Sequence, residues 1–243
     1  MRIAVVSDIH GNGTAFEAVL KDLNEDAPDE IFHGGDLADA GSNPSEIVDL
    51  VRELGWRGVV GNTDEMLFRP DSILEFAQQS PTLRPMLAVL EEMAATTREM
   101  LGQERLAWLG HLPRSLVNGG MTLMHASPEN LWRAPAREAS DTELEAVYGR
   151  LKQPVVVYAH IHQPYVKELS GWTIANTGSV GLSYDGDCRA AYLLLDASGT
   201  DFKVTLRRVE YDVDREIRRL ANSGLPHADW VARILRSGRP LLP

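Results

Sequence analysis

The sequence predicts an α/β fold with a parallel sheet, and three observations support this. Short apolar runs alternate with amphipathic helical patterns over about the first 60 residues. The strand signal disappears from about residue 65 to residue 112 and then returns. The chain has 243 residues, of which 44% are hydrophobic, so it can bury a full core. We therefore expect one domain over residues 1–243.

The first part of the chain has a regular order of elements. Strands are predicted at MRIAVVS, EIFHGG and WRGVVG, with helices at TAFEAVLKDLNE and PSEIVDLVRELG between them. Such alternation is typical of βαβ units, which form parallel sheets. Thr14 is a candidate cap for the first helix, and Pro44 or Ser45 can open the second.

The region from about 65 to 112 is predicted to be a helical insertion. Its helices are SILEFAQQS, TLRPMLAVLEEMAATTREML and QERLAWLGHLP, separated by proline and glycine. Strands return as MTLMH, PVVVYAH, WTIANTG, AAYLLLD and FKVTLRRVEY, and Asp141 is a candidate cap for the intervening helix TELEAVYGRL. Val213, Ile217 and Leu220 have helical spacing, which predicts an amphipathic helix in a C-terminal helical tail at about 211–243.

Composition argues against several classes of function. A formal net charge of −11 disfavours general nucleic-acid binding, which needs clustered Lys and Arg. No apolar run approaches the roughly 20 residues that span a bilayer. The single cysteine, Cys188, cannot form an internal disulfide. We expect a soluble, cytoplasmic protein that does not bind membranes, and homo-oligomer formation is left open.

Five apolar runs end in side chains that can bind metal ions. These candidate ligands are Asp8, His10, Asp36, Asn62, His125, His160 and His162. The carboxyl ends of strands in an open α/β sheet lie along one edge, so residues far apart in sequence can meet there. One such histidine could be an ordinary core residue, but recurrence at five strand ends is hard to explain that way.

The ligand types indicate two divalent transition-metal ions. Asp, Asn and His without thiolate suit Mn, Fe, Zn, Co or Ni. Seven ligands are too many for one catalytic ion but fit two ions about 3.5–4 Å apart that share a carboxylate. Two divalent ions and two carboxylates leave two surplus positive charges. That surplus would let an acidic protein bind a phosphate.

The motifs DIH, GGD, GNTD, MHASP and AHIH occur in this order. They resemble the sequence blocks of the calcineurin-like metallophosphoesterase superfamily. The resemblance is greatest to its small prokaryotic branch of YfcE-type phosphodiesterases, which shares NTGSVG after the last histidine pair. It extends from Asp8 to about Arg189. It implies a four-layer β-sandwich flanked by helices, with a dimetal site at one edge.

The resemblance also implies a role for each ligand. One ion would be held by Asp8, His10 and His162. The other would be held by Asn62, His125 and His160. Asp36 would bridge the two ions. A bridging hydroxide would then attack phosphorus in line with the leaving oxygen.

The GNTD block departs from the family pattern, because Thr63 stands where the family has a histidine. This removes the family's general acid, and we expect a preference for good leaving groups or diesters. Thr63 and Asp64 are candidate catalytic residues, with a structural hydrogen bond favoured for Asp64. Asn12 is a candidate substrate contact, although capping of the following helix explains it equally well.

Other polar and aromatic residues are weaker candidates. His33, His111 and His227 are predicted to be structural. Trp132 and Arg133 could line a substrate cleft, or they could be a packing tryptophan and an exposed arginine. The segment 176–181 could form a turn or an anion-binding nest, and we favour the turn.

The leading functional prediction is a dimetal phosphoesterase acting on a small phosphoester or nucleotide-like substrate, with diesters slightly preferred. A phosphomonoesterase or protein phosphatase on the same scaffold is the alternative. A non-catalytic metal-binding scaffold is disfavoured, because such relatives tend to lose ligands and this chain keeps all seven.

Overall fold

Two five-stranded β-sheets pack face to face in the computed structural model, which describes residues 1–199 and 201–243. Along the chain, the elements are β1 (Arg2–Val6), α1 (Gly13–Asp26), β2 (Glu30–His33), α2 (Pro44–Glu53), β3 (Arg57–Gly58), α3 (Asn62–Phe68), α4 (Asp71–Gln79), α5 (Arg84–Gly110), β4 (Ser115–Asn118), β5 (Met121–Met124), α6 (Asp141–Tyr148), β6 (Val155–Tyr158), β7 (Tyr165–Leu169), β8 (Trp172–Asn176), β9 (Ala190–Ser198), β10 (Asp201–Val209), α7 (Val213–Ala221) and α8 (Ala228–Ser237).

Both sheets are mixed. The first has the order β10-β9-β1-β2-β3, in which β1, β2 and β3 are parallel and β9 is antiparallel to its neighbours. The second has the order β4-β5-β6-β8-β7, in which β5, β6 and β8 are parallel and the edge strands are antiparallel. The parallel βαβ units predicted at the start of the chain are therefore confirmed.

Side chains alternate between the two faces of β1, and this alternation builds the layers. Ile3 and Val5 point into the core between the sheets, where they join Met121 and Val157 of the second sheet. Ala4 and Val6, on the other face of β1, belong to the core under the helices of the first sheet. A separate core lies between the outer face of the second sheet and α6. The order helix, sheet, sheet, helix confirms the predicted four-layer sandwich.

Helices α4 and α5 lie in the region predicted to be a helical insertion, and α3, which was not predicted, begins just before it at Asn62. The two long helices predicted there form one segment, interrupted at Gly102 (φ 68°, ψ 171°). The predicted C-terminal helix is confirmed as α7, and α8 follows it. Both pack on α5 through a common core that includes Met93, Leu220, Trp230 and Ile234.

Several local predictions are wrong. β4 and β7 were not predicted, because each is a short edge strand whose residues alternate between exposed and partly buried and form no continuous apolar run. Asn12 caps α1 instead of Thr14, since its side-chain oxygen accepts the N–H of Ala15 at 2.9 Å. Ser140 caps α6 instead of the residue after it. Within the described ranges, no helix combines the length and apolar character that crossing a membrane requires.

Candidate metal centre

The candidate ligands meet at one end of the two sheets. Two follow β1, one follows β2, one lies at the start of α3 just after β3, one follows β5 and two follow β6. The ligand atoms of Asp8, His10, Asp36 and His162 all lie within 4.8 Å of one another. All four are buried, with at most 5% of their surface exposed.

A second group surrounds the side-chain oxygen of Asn62. His125 Nε2 and His160 Nδ1 each lie 2.8 Å from Asn62 Oδ1. Asp36 joins the two groups, because its Oδ2 lies 3.7 Å from His10 Nε2 and 3.4 Å from His125 Nε2. All seven side chains therefore form two clusters that share one carboxylate oxygen.

Hydrogen bonds to backbone carbonyls orient three of the imidazoles. His10 Nδ1 donates to the carbonyl of Asp39 and His125 Nδ1 donates to that of Gly34, at 3.0 and 2.8 Å. His162 Nδ1 donates to the carbonyl of Leu182. A carbonyl can only accept, so in each neutral ring Nε2 carries the lone pair. This is the tautomer that metal-binding histidines adopt.

The resulting lone pairs point at one another. Nε2 of His10 lies 3.2 Å from Nε2 of His162, and the latter lies 3.2 Å from Oδ1 of Asp8. This carboxylate oxygen is buried and accepts no well-oriented hydrogen bond from any described residue. Facing lone pairs and an unpaired carboxylate oxygen are unfavourable unless a cation lies between them. The residues present therefore fit a divalent cation.

Five of the seven candidate ligands share a strained backbone conformation with positive φ. Nine non-glycine residues of the described chain have positive φ, and five of them are candidate ligands. These five are Asp8 (51°), His10 (50°), Asp36 (54°), His160 (71°) and His162 (54°). Each costs on the order of 1–3 kcal/mol, and such strain concentrates at functional sites.

Gly61 allows a close approach beside the shared carboxylate. A Cβ atom at this position would lie 1.9 Å from Asp36 Oδ1 and 2.4 Å from the backbone nitrogen of Asp36. The same Asp36 oxygen accepts the N–H of Thr63 at 2.9 Å. The loop after β3 thus holds Asp36 through its backbone, and a side chain at Gly61 would displace it.

The protonation equilibria favour bound cations. Burial alone would raise the pKa of Asp8, but the neighbouring imidazoles, His162 first, together outweigh it and the pKa is lowered. Burial lowers the pKa of His10, and it lowers that of His160 to about 4, so both imidazoles stay neutral. Burial alone would also lower the pKa of His125, but the carboxylates of Asp36 and Asp8 outweigh it and raise the pKa. The site thus attracts positive charge, and the imidazoles of His10 and His160 keep their lone pairs free.

Asp64 holds the backbone next to the ligands in place. Its carboxylate is fully buried and accepts the backbone N–H groups of Asp36, Leu37 and Gly61 at 2.8, 2.9 and 3.1 Å. Burial, followed by the charge of Asp36, raises its pKa to about 7. These three bonds join the loops after β2 and β3. The hydroxyl of Thr63 is buried and has no hydrogen-bond partner among the described residues.

The side chain of Asn12 makes its hydrogen bonds within the protein. Besides capping α1, its amide nitrogen donates to the carbonyl of Gly181 at 3.0 Å. The segment 176–181 packs beneath β1, where Ser179 Oγ donates to the carbonyl of Asp8 at 2.7 Å. The side chain of Asn176 closes a turn by accepting the N–H of Gly178 at 2.9 Å, which agrees with the favoured turn.

The weaker candidates lie away from the seven ligands. His33 is buried near Trp108, His111 donates to a carbonyl one turn back in α5, and His227 contacts Glu92. Trp132 stacks on Phe76 of α4, with ring centroids 5.0 Å apart, and Arg133 lies over the same ring. Trp132 lines a cavity between α4 and the loop after β5, which contains none of the candidate ligands.

Several residues around the site carry no recognisable signal in the sequence. Tyr184 stacks on His162, with ring centroids 4.3 Å apart. Asp39 positions His10 through its carbonyl, and its own buried carboxylate accepts from Thr97. A cavity of about 220 Å³ opens onto the ligands, and α5, α8 and the C-terminal segment supply most of its apolar lining residues. These residues come together through long-range packing, which no local motif encodes.

Comparisons with known proteins agree with the geometry. The family model of the calcineurin-like phosphoesterase superfamily domain matches residues 1–200. An uncharacterised protein of Methanocaldococcus jannaschii is 30% identical over 258 aligned positions, covering 98% of both chains. A symmetrical bis(5'-nucleosyl)-tetraphosphatase of Nitrosococcus oceani is 32% identical over 188 positions, covering 72% of this chain and 64% of that protein. The crystal structure of a metallophosphoesterase from Sphaerobacter thermophilus superimposes with a TM-score of 0.79 at 29% identity, covering 98% of this chain and 99% of the other.

Proposed function

Because the chain belongs to the calcineurin-like phosphoesterase superfamily, as its motifs predict, we propose that it hydrolyses small phosphoric esters with two divalent transition-metal ions. Phosphodiesters are the preferred substrates, and a nucleotide-like ester is one candidate class. A symmetrical bis(5'-nucleosyl)-tetraphosphatase among the relatives supports a nucleotide-like substrate. The proposal includes a cytoplasmic location, to which a chain with one cysteine is suited.

The position of Asp36 carries this proposal. Its Oδ2 lies within 3.7 Å of a ligand nitrogen in each of the two clusters. Asp8, His10 and His162 would hold the first ion. Asn62, His125 and His160 would hold the second, and the carboxylate of Asp36 would serve both.

When bound, two such ions supply Lewis acidity toward phosphoryl oxygen and a nucleophilic water at neutral pH. The protein's own residues supply the rest. Backbone carbonyls fix the imidazole tautomers, and the N–H of Thr63 orients the shared carboxylate. No imidazole stands at position 63 to protonate the leaving oxygen. A leaving group that departs as a stable anion is therefore favoured, and this supports aryl esters and diesters over alkyl monoesters.

A substrate screen tests the proposal. Protein purified without chelator is assayed with Mn, Ni, Zn or Fe against aryl monoesters, aryl diesters, cyclic nucleotides and nucleotides. We expect metal-dependent turnover that is fastest for an aryl diester. Asp36→Asn should abolish it, while the same substitution at exposed Asp201 should preserve it. Equal turnover by Asp36→Asn would contradict the proposed site.

A further inference from the structure

The cavity over the candidate metal centre has two chemically different halves. Its floor contains His10, Asp36, Asn62, His160 and His162. We call its apolar lining the apolar wall. It consists of Met86, Leu90, Leu182, Trp230, Ile234 and Leu241.

Two helices build most of the apolar wall. Met86 and Leu90 lie one turn apart on α5, and Trp230 and Ile234 lie one turn apart on α8, so each helix turns one apolar stripe toward the cavity. Trp230 Nε1 donates to the carbonyl of Leu241 at 2.9 Å. The indole N–H is therefore satisfied within the protein, and the ring meets a ligand as an apolar surface.

The charges around the cavity limit which substrates can lie against this wall. No lysine or arginine is among the described residues that line it, and its acidic residues are Asp36 and Asp39. Positive charge would come only from ions bound at the floor. A phosphate at the floor would be compensated, but further phosphates along the wall would be desolvated without a partner.

The size of the cavity also favours a small substrate with a single phosphate. Its volume of about 220 Å³ is below the roughly 300–1,000 Å³ of pockets that enclose drug-sized ligands. That space encloses one phosphate with one ring-sized group, and any second organic group of a diester would extend beyond it.

We propose that the apolar wall binds the organic group of the substrate, and that this substrate is an ester of a single phosphate carrying an aromatic or similarly apolar group. The inference rests on the proposed phosphoesterase function and narrows its substrate class. It separates this chain from its tetraphosphatase-named relatives, because a dinucleoside polyphosphate would place several charges on an uncharged surface.

Inhibition constants of simple monoesters test the wall. Hydrolysis of bis(4-nitrophenyl) phosphate by the manganese-loaded protein is inhibited with methyl phosphate or phenyl phosphate, which differ only in the organic group. We expect phenyl phosphate to have a Ki about tenfold lower, since burying part of a ring on apolar surface contributes roughly 1.4 kcal/mol, equivalent to tenfold.

Substitutions test whether the apolar wall causes the difference between the two Ki values. Trp230→Ala should reduce the tenfold ratio of Ki values to less than about threefold. Met86→Ala, at a partly exposed position that is less critical for folding, should reduce it in the same direction. Trp172→Ala is the matched control, because Trp172 lies on β8 away from this cavity, and it should keep the tenfold ratio.

The outcomes separate the two proposals. Absence of hydrolysis with every metal would overturn the phosphoesterase function itself. Hydrolysis with equal Ki values for methyl and phenyl phosphate would leave that function standing and overturn the role of the wall. So would a higher kcat/KM for diadenosine tetraphosphate than for bis(4-nitrophenyl) phosphate.

Discussion

Replacing Asp64 by asparagine should destabilise the protein, because this carboxylate joins two ligand-bearing loops. Its Oδ2 accepts the N–H groups of Asp36 and Gly61, and its Oδ1 accepts that of Leu37. Asparagine keeps one acceptor oxygen, so its amide nitrogen would face the third N–H. A buried unpaired donor costs about 1–3 kcal/mol, and above a pH of about 7, where the carboxylate is ionised, the two remaining bonds also lose a charged acceptor. We expect Asp64→Asn to lower the free energy of unfolding by about 2–4 kcal/mol.

Urea denaturation followed by tryptophan fluorescence measures this loss. The matched control is Asp212→Asn at the N-cap of α7, where Asp212 accepts the N–H of Arg215 at 2.8 Å. Asparagine caps helices about as well as aspartate, so this variant should stay within about 0.5 kcal/mol of the wild type. If Asp64→Asn kept full stability and lost only kcat, Asp64 would be a catalytic group and the positioning role would be refuted.

Three further predictions follow from the same geometry. Gly61→Ala should destabilise the protein by about 2 kcal/mol or more and weaken metal binding, since its Cβ would lie 1.9 Å from Asp36 Oδ1. Gly110 is the last residue of α5, and a Cβ there would meet Phe68 at an ordinary 3.5 Å. Gly110→Ala should therefore be neutral or stabilising when both variants are compared by calorimetry and metal titration. Burial lowers the pKa of His33 from 6.5 to about 4, so the unfolded chain takes up this proton first as the pH falls. Between pH 6.5 and pH 4, the free energy of unfolding of the wild type should therefore fall by about 3 kcal/mol through this group. For His33→Leu the fall should be smaller by that amount, as urea midpoints measured across the range would show. Manganese added to the chelator-treated protein at about 100 times its Kd should increase the free energy of unfolding by about 2.7 kcal/mol and raise Tm by about 5–10 °C. An unchanged Tm would contradict a metal site that exists only in the folded state.

Sequence patterns predicted the layers of the fold because its central strands carry strong local signals. The strands β1, β5 and β6 are continuous apolar runs that end abruptly at ligand-type residues, and both features can be read from a few adjacent positions. Edge strands β4 and β7 carry no such signal, since alternate residues along them are exposed. Their pairing depends on neighbours far along the chain, which a local pattern does not contain.

The candidate site was likewise predictable only in part from the sequence. The seven ligands were predictable as a set, because each follows an apolar run and the strand ends share one edge. The supporting contacts were not predictable, since Asp39 acts through its backbone carbonyl and Tyr184 through ring stacking. The apolar wall was also missed, because α8 reaches the cavity only by packing against α5.

Anomalous diffraction from crystals grown with manganese tests the central claim most directly. Two anomalous peaks about 3.5–4 Å apart are expected, with Asp36 coordinating both and three of the other candidate ligands around each. A single peak, or a pair of peaks to which Asp36 contributes no oxygen, would contradict the account.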